Sequence, residues 1–432
     1  MTTLYQQYGD KELIEASPFL RYLVGEGRWQ ESGRKDSFNQ SDEPFPSARD
    51  FRRKFRQMLD DPESALLALR RFRLRSLLAL AKADLEDRVR PHQIRARLRV
   101  LSETMVQSAW WVAENSLRER FVHPLILERR NINPPMAICS LSRLGAGEPW
   151  YTTGPAPIFI HSRAAEYSPA LTEKDFFLAR RADKQWLPAR DYFHRLARRT
   201  LSFLSVPDAA GKGFDHMAED VEPHDAPLLP GALVVLFSAF ENHFLHGRPV
   251  KERLSLLRLR FLVGQEKLGR AVEHAARMAL LKTADELGSR LRAGVNAWYR
   301  DRAKAEGLPM ARGGLLDIER VVRLAQFRYA SQDPNMLVPS VFKGLEMLTD
   351  IGAITADERL VLQRSYGFQW FLANRMSLLG RREELAWEAL RAGRMDERLS
   401  LPGAGEKVRN LTAAARSVLV DLARETRREE SE

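Results

Sequence analysis

From about Ser47 to Glu119 apolar side chains recur every three or four residues: Leu66, Leu69 and Phe72, then Leu77, Leu80 and Ala81, then Leu98, Leu101, Met105 and Ala109. That is the period of helices with one buried stripe. Ser108-Ala109-Trp110-Trp111 closes the stretch. Adjacent helical residues cannot share a face, so one tryptophan is expected inside and the other against the next domain. Residues 1–45 show no such period, and apart from an apolar patch around Phe19 to Val24 their Gly, Ser, Asn, Asp and Pro clusters predict a polar lead-in. Strand candidates follow at 136–141, 157–163 and 231–237, with an amphipathic helix from Asp191 to Leu204 among them. From Glu266 onward the pattern is almost wholly helical, at 266–306, 314–330, 335–352, 356–380 and 404–427. Val408, Leu411, Ala415, Val418 and Leu422 form the stripe of the last helix, the seam of a bundle. No fixed-period repeat appears, which argues against a solenoid. The predicted fold is α+β and predominantly helical: a lead-in at 1–45, an N-terminal helical segment at 46–135, a mixed region at 136–305 and a C-terminal helical bundle at 306–432.

Within the mixed region, residues 137–161 read AICSLSRLGAGEPWYTTGPAPIFIH, an apolar strand, a small-residue loop and a second apolar strand. This is the layout of a nucleotide-binding turn. Side chains at i and i+2 of a strand share a side, so two acids so spaced could hold metal ions over a triphosphate. Here those positions are Gly154 and Ala156, flanked by Pro155 and Pro157, which stiffen the loop and are expected to interfere with strand pairing.

At 432 residues, with 44% hydrophobic and 29% charged positions, the chain has the composition of a globular protein of two or three domains. No apolar run reaches bilayer length and the first residues lack a basic-then-apolar signal, so a cytoplasmic location is expected. The single cysteine, Cys139, excludes an intramolecular disulfide and a thiolate zinc cluster, and its apolar setting makes it a core residue. The net charge of +11 suits an acidic partner, but the basic residues are interleaved with acids, which disfavours a nucleic-acid-binding stripe. His243 and His246 could face one metal from a helix, yet no third ligand is evident, and Gly-x-Ser-x-Gly is absent.

Several segments in order resemble the glutamine-synthetase adenylyltransferase family. In the turn, Leu141, Leu144, Gly145, Glu148, Tyr151, Ile158 and Phe159 fit its nucleotidyltransferase signature, Arg143 stands for its lysine, and Thr152-Thr153 stand for its paired serines. Neither metal-binding aspartate is present. Upstream, Leu69-Arg70-Arg71-Phe72-Arg73-Leu74-Arg75 with Ala83-Asp84-Leu85 is similar to the family's arginine-rich helix. Downstream, Glu252-Arg253, Arg260 and Gly264 fit a further segment, with Lys251 in place of a tryptophan. Gly313-Gly314-Leu315-Leu316-Asp317-Ile318-Glu319 resembles the family's Gly-Gly-x-x-Asp-Ile-Glu-Phe, with Gln326, Arg328 and Tyr329 trailing. Together these segments span roughly residues 65–390. Read without the family, Asp317 and Glu319 are carboxylates at a helix start, and they point different ways.

The resemblance implies a nucleotidyltransferase-like domain at 136–305, ATP and magnesium as cofactors, AMP transfer to and from a tyrosine of glutamine synthetase, and a PII-type signalling partner. It implies Arg143, Thr152 and Thr153 as nucleotide-binding residues, Asp220 and Glu222 as catalytic candidates beside the third acid's place at Val221, and no metal ligand. Losing metal stabilisation worth several kcal/mol costs on the order of a thousandfold in rate. The leading expectation is therefore a catalytically degenerate member that acts by protein binding in nitrogen regulation. The alternatives are an active adenylyltransferase or deadenylylase, and a basic helical scaffold unrelated to nucleotides.

Overall fold

A computed structural model describes residues 48–122, 136–162, 184–205, 233–246, 250–306, 308–378, 384–394 and 401–428. The N-terminal helices start from local capping chemistry. Helix α1 (Ala48–Phe55) buries Phe51 and Phe55. Helix α2 (Pro62–Leu85) begins where the Asp61 carboxylate accepts the backbone N–H groups of Glu63 and Ser64, and proline fills the first turn. Helix α3 (Pro91–Arg120) packs back along α2 after a short connection containing Asp87 at φ +54°. Trp110 is buried, while Trp111 is half-buried beneath the Arg56 guanidinium of the same helical segment.

The sheet supplies the platform for the turn. Strand β2 (Met136–Ser140) is buried throughout and pairs antiparallel with β3 (Pro157–His161) on one side and β6 (Arg260–Gly264) on the other. Strand β5 (Val234–Leu236) runs parallel to β3, giving the order β5-β3-β2-β6. Pro157 does not prevent pairing, because it is the first residue of β3, opposite Ser140, where the missing N–H interrupts little of the ladder. Strand β6 escapes periodicity analysis because it is a short edge strand whose residues are mostly half-buried. Strands β1 (Phe121–Val122) and β4 (Gln185–Trp186) form a separate two-residue parallel ladder. Helix α4 (Ala189–Ser205) covers the helical expectation at 191–204 and packs on α3. The expected strand at 231–237 is only three residues long, since the chain enters helix α5 (Phe237–His246) directly, and a short helix α6 (Val250–Ser255) follows.

The expected long helix at 266–306 is two helices, α7 (Glu266–Leu287) and α8 (Leu291–Glu306), parted by a tight turn at Gly288–Arg290 where Gly288 takes φ +45°. Helix α9 (Leu315–Ala330) follows, and the expected helix at 335–352 starts only at Val341, where Ser340 caps α10 (Val341–Asp350). Helix α11 (Ala356–Leu378) has almost no amphipathic pattern, because its second half, from Gln369 to Leu378, is buried on every side. Helices α12 (Glu384–Arg391) and α13 (Ala404–Arg428) complete the bundle, with α13 packed on α9, α11 and α12. Val408, Ala415 and Leu422 of its stripe are buried, as a bundle seam requires. Among the described residues no helix is long and apolar enough to cross a membrane.

Candidate functional site

The loop between β2 and β3 is built on its own hydrogen bonds. Ser142 donates its hydroxyl to the Gly154 carbonyl at 2.8 Å, and the same oxygen accepts the Leu144 N–H at 3.1 Å. Gly145 and Gly147 donate to the carbonyls of Ser142 and Leu144, and Glu148 donates to that of Arg143, each at 2.9 Å. Trp150 donates to Thr153 Oγ1 at 2.8 Å and Tyr151 to Asn374 Oδ1 at 2.9 Å. A phosphate-binding turn works because successive N–H groups converge on an empty space. In this turn most of those donors are directed into the protein. Gly145 serves close packing, since a Cβ there would lie 1.9 Å from the Arg258 carbonyl oxygen.

Arg143 points into a buried ionic cluster. Its guanidinium lies 2.5 Å from Glu306 and 3.1 Å from Glu319. Arg258, just before β6, reaches the same two carboxylates at 3.0 and 3.3 Å. Arg302 of α8 does so at 2.7 and 3.0 Å. Each glutamate thus bridges all three arginines, and the side chains of Arg143 and Glu319 are each only 4% exposed. Burial pushes the Glu306 carboxyl up, but Arg143 and Arg258 more than offset this and hold it below the usual carboxylate range. Arg143 is likewise held firmly protonated: burial opposes its charge, and Glu306 and Glu319 outweigh that.

A third carboxylate joins through Tyr366 of α11, whose hydroxyl lies 2.5 Å from Glu148 and 3.0 Å from Glu319. The phenol carries one proton, so it can donate to only one of them at a time. Burial and these two carboxylates raise its pKa well above the ordinary value, keeping it a neutral hydroxyl. Glu148 also accepts the Val341 N–H at 3.0 Å, and its own carbonyl accepts the Trp370 indole N–H at 3.1 Å.

The other end of the turn is tied to the N-terminal helices. Tyr151 donates to Asp84 of α2 at 3.0 Å, and Arg375 of α11 approaches the same carboxylate at 2.9 Å. Asp84 and Arg375 are 0% and 1% exposed, so this is a fully desolvated pair. The turn is therefore clamped between α2 and α11 at one end and among α8, α9 and α11 at the other. Such buried ion pairs add little net stability over apolar packing, but opening one by removing a partner is costly. They fix how the helical parts and the sheet are registered.

The sequence-derived site residues are distributed as follows. Arg143 belongs to the ionic cluster; Thr152 and Thr153 are buried, with Thr153 capping the Trp150 N–H. The Thr152 hydroxyl is buried with no hydrogen-bond partner among the described residues. Gly154 and Ala156 precede β3, and Ala156 sits at φ +38°. Asp220 and Glu222 lie outside the described residues. Asp317 accepts the Gly313 N–H at 2.8 Å and pairs with Arg320, whereas Glu319 enters the cluster, so the two do point apart. Cys139 is fully buried, and burial pushes its thiol well above the usual range.

ATP and magnesium do not fit these residues. A single orphaned hydroxyl at Thr152 is not a phosphate cradle, most of the loop donors are engaged, and Arg143 is neutralised by carboxylates. Among the described residues no group of three or more His, Cys, Asp or Glu is placed to hold a metal ion, and the side chain of His246 lies outside them. Sequence inspection overlooked Arg258, Arg302, Glu306, Tyr366 and Arg375. Two signals were available: the Arg302–Glu306 spacing of four on one helix, and an arginine at 375 inside an otherwise apolar and small-residue run.

A sequence model of the glutamate-ammonia ligase adenylyltransferase family matches residues 29–275, more than half of the chain. The matched stretch includes α2, α3, the whole β5-β3-β2-β6 sheet and the turn, and it ends within α7. The Gly313–Glu319 motif lies beyond it. On the matched half and the sheet-borne turn together, the chain belongs to the glutamate-ammonia ligase adenylyltransferase family.

Proposed function

We propose that this protein takes part in the regulation of glutamine synthetase as a member that no longer transfers AMP and acts through protein–protein contact. The observation that carries this is the turn itself. Gly154 and Ala156 occupy the positions of the metal-binding acids, and Arg143 is held by Glu306 and Glu319. Nucleotidyl transfer needs divalent metal to neutralise the opening phosphoanhydride, and a buried cluster whose glutamates are already shared among three arginines offers no such site. What the family scaffold retains is a rigid arrangement of helices around the sheet, with a basic overall charge of +11 suited to an acidic partner surface. Glutamine synthetase is the first partner to test and a PII-type protein the second, both in the cytoplasm.

The test mixes the purified protein with glutamine synthetase, ATP and magnesium, and follows co-elution together with AMP incorporation by intact mass. Co-elution without added AMP is the expected result. Stoichiometric AMP on a tyrosine would overturn the proposal and establish an active transferase.

A further inference from the structure

Helix α13 presents its seam residues to α9 and α11, and beside that seam, with Val408 at its base, lies a cleft of about 800 Å³. Four arginines ring this cleft: Arg312 from the segment before α9, Arg391 at the end of α12, and Arg409 and Arg416 on α13. Arg312, Arg409 and Arg416 are exposed and Arg391 is half-buried. Among the described residues none of the four has a carboxylate within ion-pair distance, and Arg409 donates to the Arg391 carbonyl. Among the described residues no acid lines the cleft. The contrast with the interior is sharp, since Arg143, Arg258 and Arg302 are each bound by two glutamates. Like charges crowded on one face repel until an anion neutralises them.

The floor between the arginines is apolar or small, with Ala311, Val408, Ala413 and Val420 among the lining residues, and Val420 is 39% exposed. The rim is fixed in place. Gly313 takes φ +77° so that the 311–313 segment can lie on the α13 backbone, where a Cβ would come within 2.2 Å of the Thr412 carbonyl oxygen. Spacing selects the occupant. Arg409 and Arg416 are seven residues apart, two helical turns or roughly 10 Å along the axis. That separation exceeds a compact phosphate cradle, where donors converge on one point, and it matches carboxylates seven apart on a facing helix with apolar side chains between them.

We propose that this cleft is the docking groove for an acidic amphipathic helix of a partner protein. The inference deepens the protein-contact reading above and rests on it. The probe is a labelled helical peptide of about 20 residues with glutamates seven apart and leucines between, titrated against the full chain. It should bind, weaken about tenfold between roughly 50 and 300 mM NaCl, and lose at least about tenfold in affinity for Arg409→Glu/Arg416→Glu. Both positions are exposed, so circular dichroism of this variant should match wild type, and a lysine-substituted peptide should bind it in exchange. Failure of the acidic peptide to bind at low salt, equal affinity for the variant, or saturation of the arginines by tripolyphosphate or duplex DNA in its place would each overturn the proposal. Glutamine synthetase co-elution with the variant separates the two readings. If glutamine synthetase is retained at full strength, the regulatory proposal stands and this cleft is not its dock. If peptide binding persists while wild type does not retain glutamine synthetase, the cleft stands and that partner is wrong.

Discussion

Replacing Glu319 with glutamine keeps the side chain's size and removes one of the two carboxylates that bridge the three buried arginines. Arg143, Arg258 and Arg302 would then share Glu306 alone, raising the excess of arginines over bridging glutamates from one to two in a site where the arginine side chains are 4%, 9% and 6% exposed. Breaking a buried pair from one side costs about 3–5 kcal/mol, a large fraction of the roughly 5–15 kcal/mol by which a folded domain is stable. With a urea slope of about 3 kcal/mol per molar, the midpoint should fall by about 1–1.7 M. Intrinsic fluorescence reports on the region directly, because Trp150 lies under Arg143 at 4.1 Å and Trp298 beside Arg302 at 4.8 Å. The matched control is Glu266→Gln, whose pair with Arg270 has side chains 68% and 75% exposed, and surface pairs contribute only about 0–1 kcal/mol. A Glu319→Gln midpoint shift no larger than that of Glu266→Gln would refute the claim that the cluster is desolvated and mutually dependent.

Two further outcomes follow from the same geometry. Because its neighbours hold the Glu306 carboxyl below its ordinary value, its contribution is fully present above the unfolded carboxyl pKa, about 4.3, and is lost as pH falls through the folded value. The stability gap between wild type and Glu306→Gln should therefore be constant from about pH 6 to 8 and narrow below about pH 4.3; a gap that widens on acidification contradicts it. Restoring acids by Gly154→Asp plus Ala156→Asp should lower the melting temperature, since a carboxylate at buried Gly154 is desolvated and lacks a cation. With the loop donors engaged, magnesium should return less than about 1 °C of that loss, and a clear magnesium-dependent recovery would mean that a metal cradle persists.

Apolar patterning located the helical stretch that holds α2 and α3, then α4, α9 and α13, together with β2 and β3, because each buries a face or a run of apolar residues and local sequence decides that pattern; α11 falls in the expected helix at 356–380, but its burial on every side over 369–378 leaves it no one-faced stripe. The same patterning cannot separate α7 from α8, where a single Gly288 breaks the helix, nor reveal β6, whose half-buried residues gain their order only by pairing with β2. The sequence also sufficed to recognise the family turn and to see that Gly154 and Ala156 carry no charge. It could not decide what Arg143 does. In isolation an arginine in a small-residue loop is a phosphate donor in waiting, and its partners Glu306 and Glu319 are more than 160 residues away along the chain. Whether a charge faces ligand or counter-charge depends on which surfaces the fold brings together and how much water it removes from between them, and only tertiary packing of α8, α9 and α11 against the sheet settles that. The arginines of α13 show the converse: their seven-residue spacing is written in the sequence, but that no described carboxylate meets them is a property of the folded bundle alone.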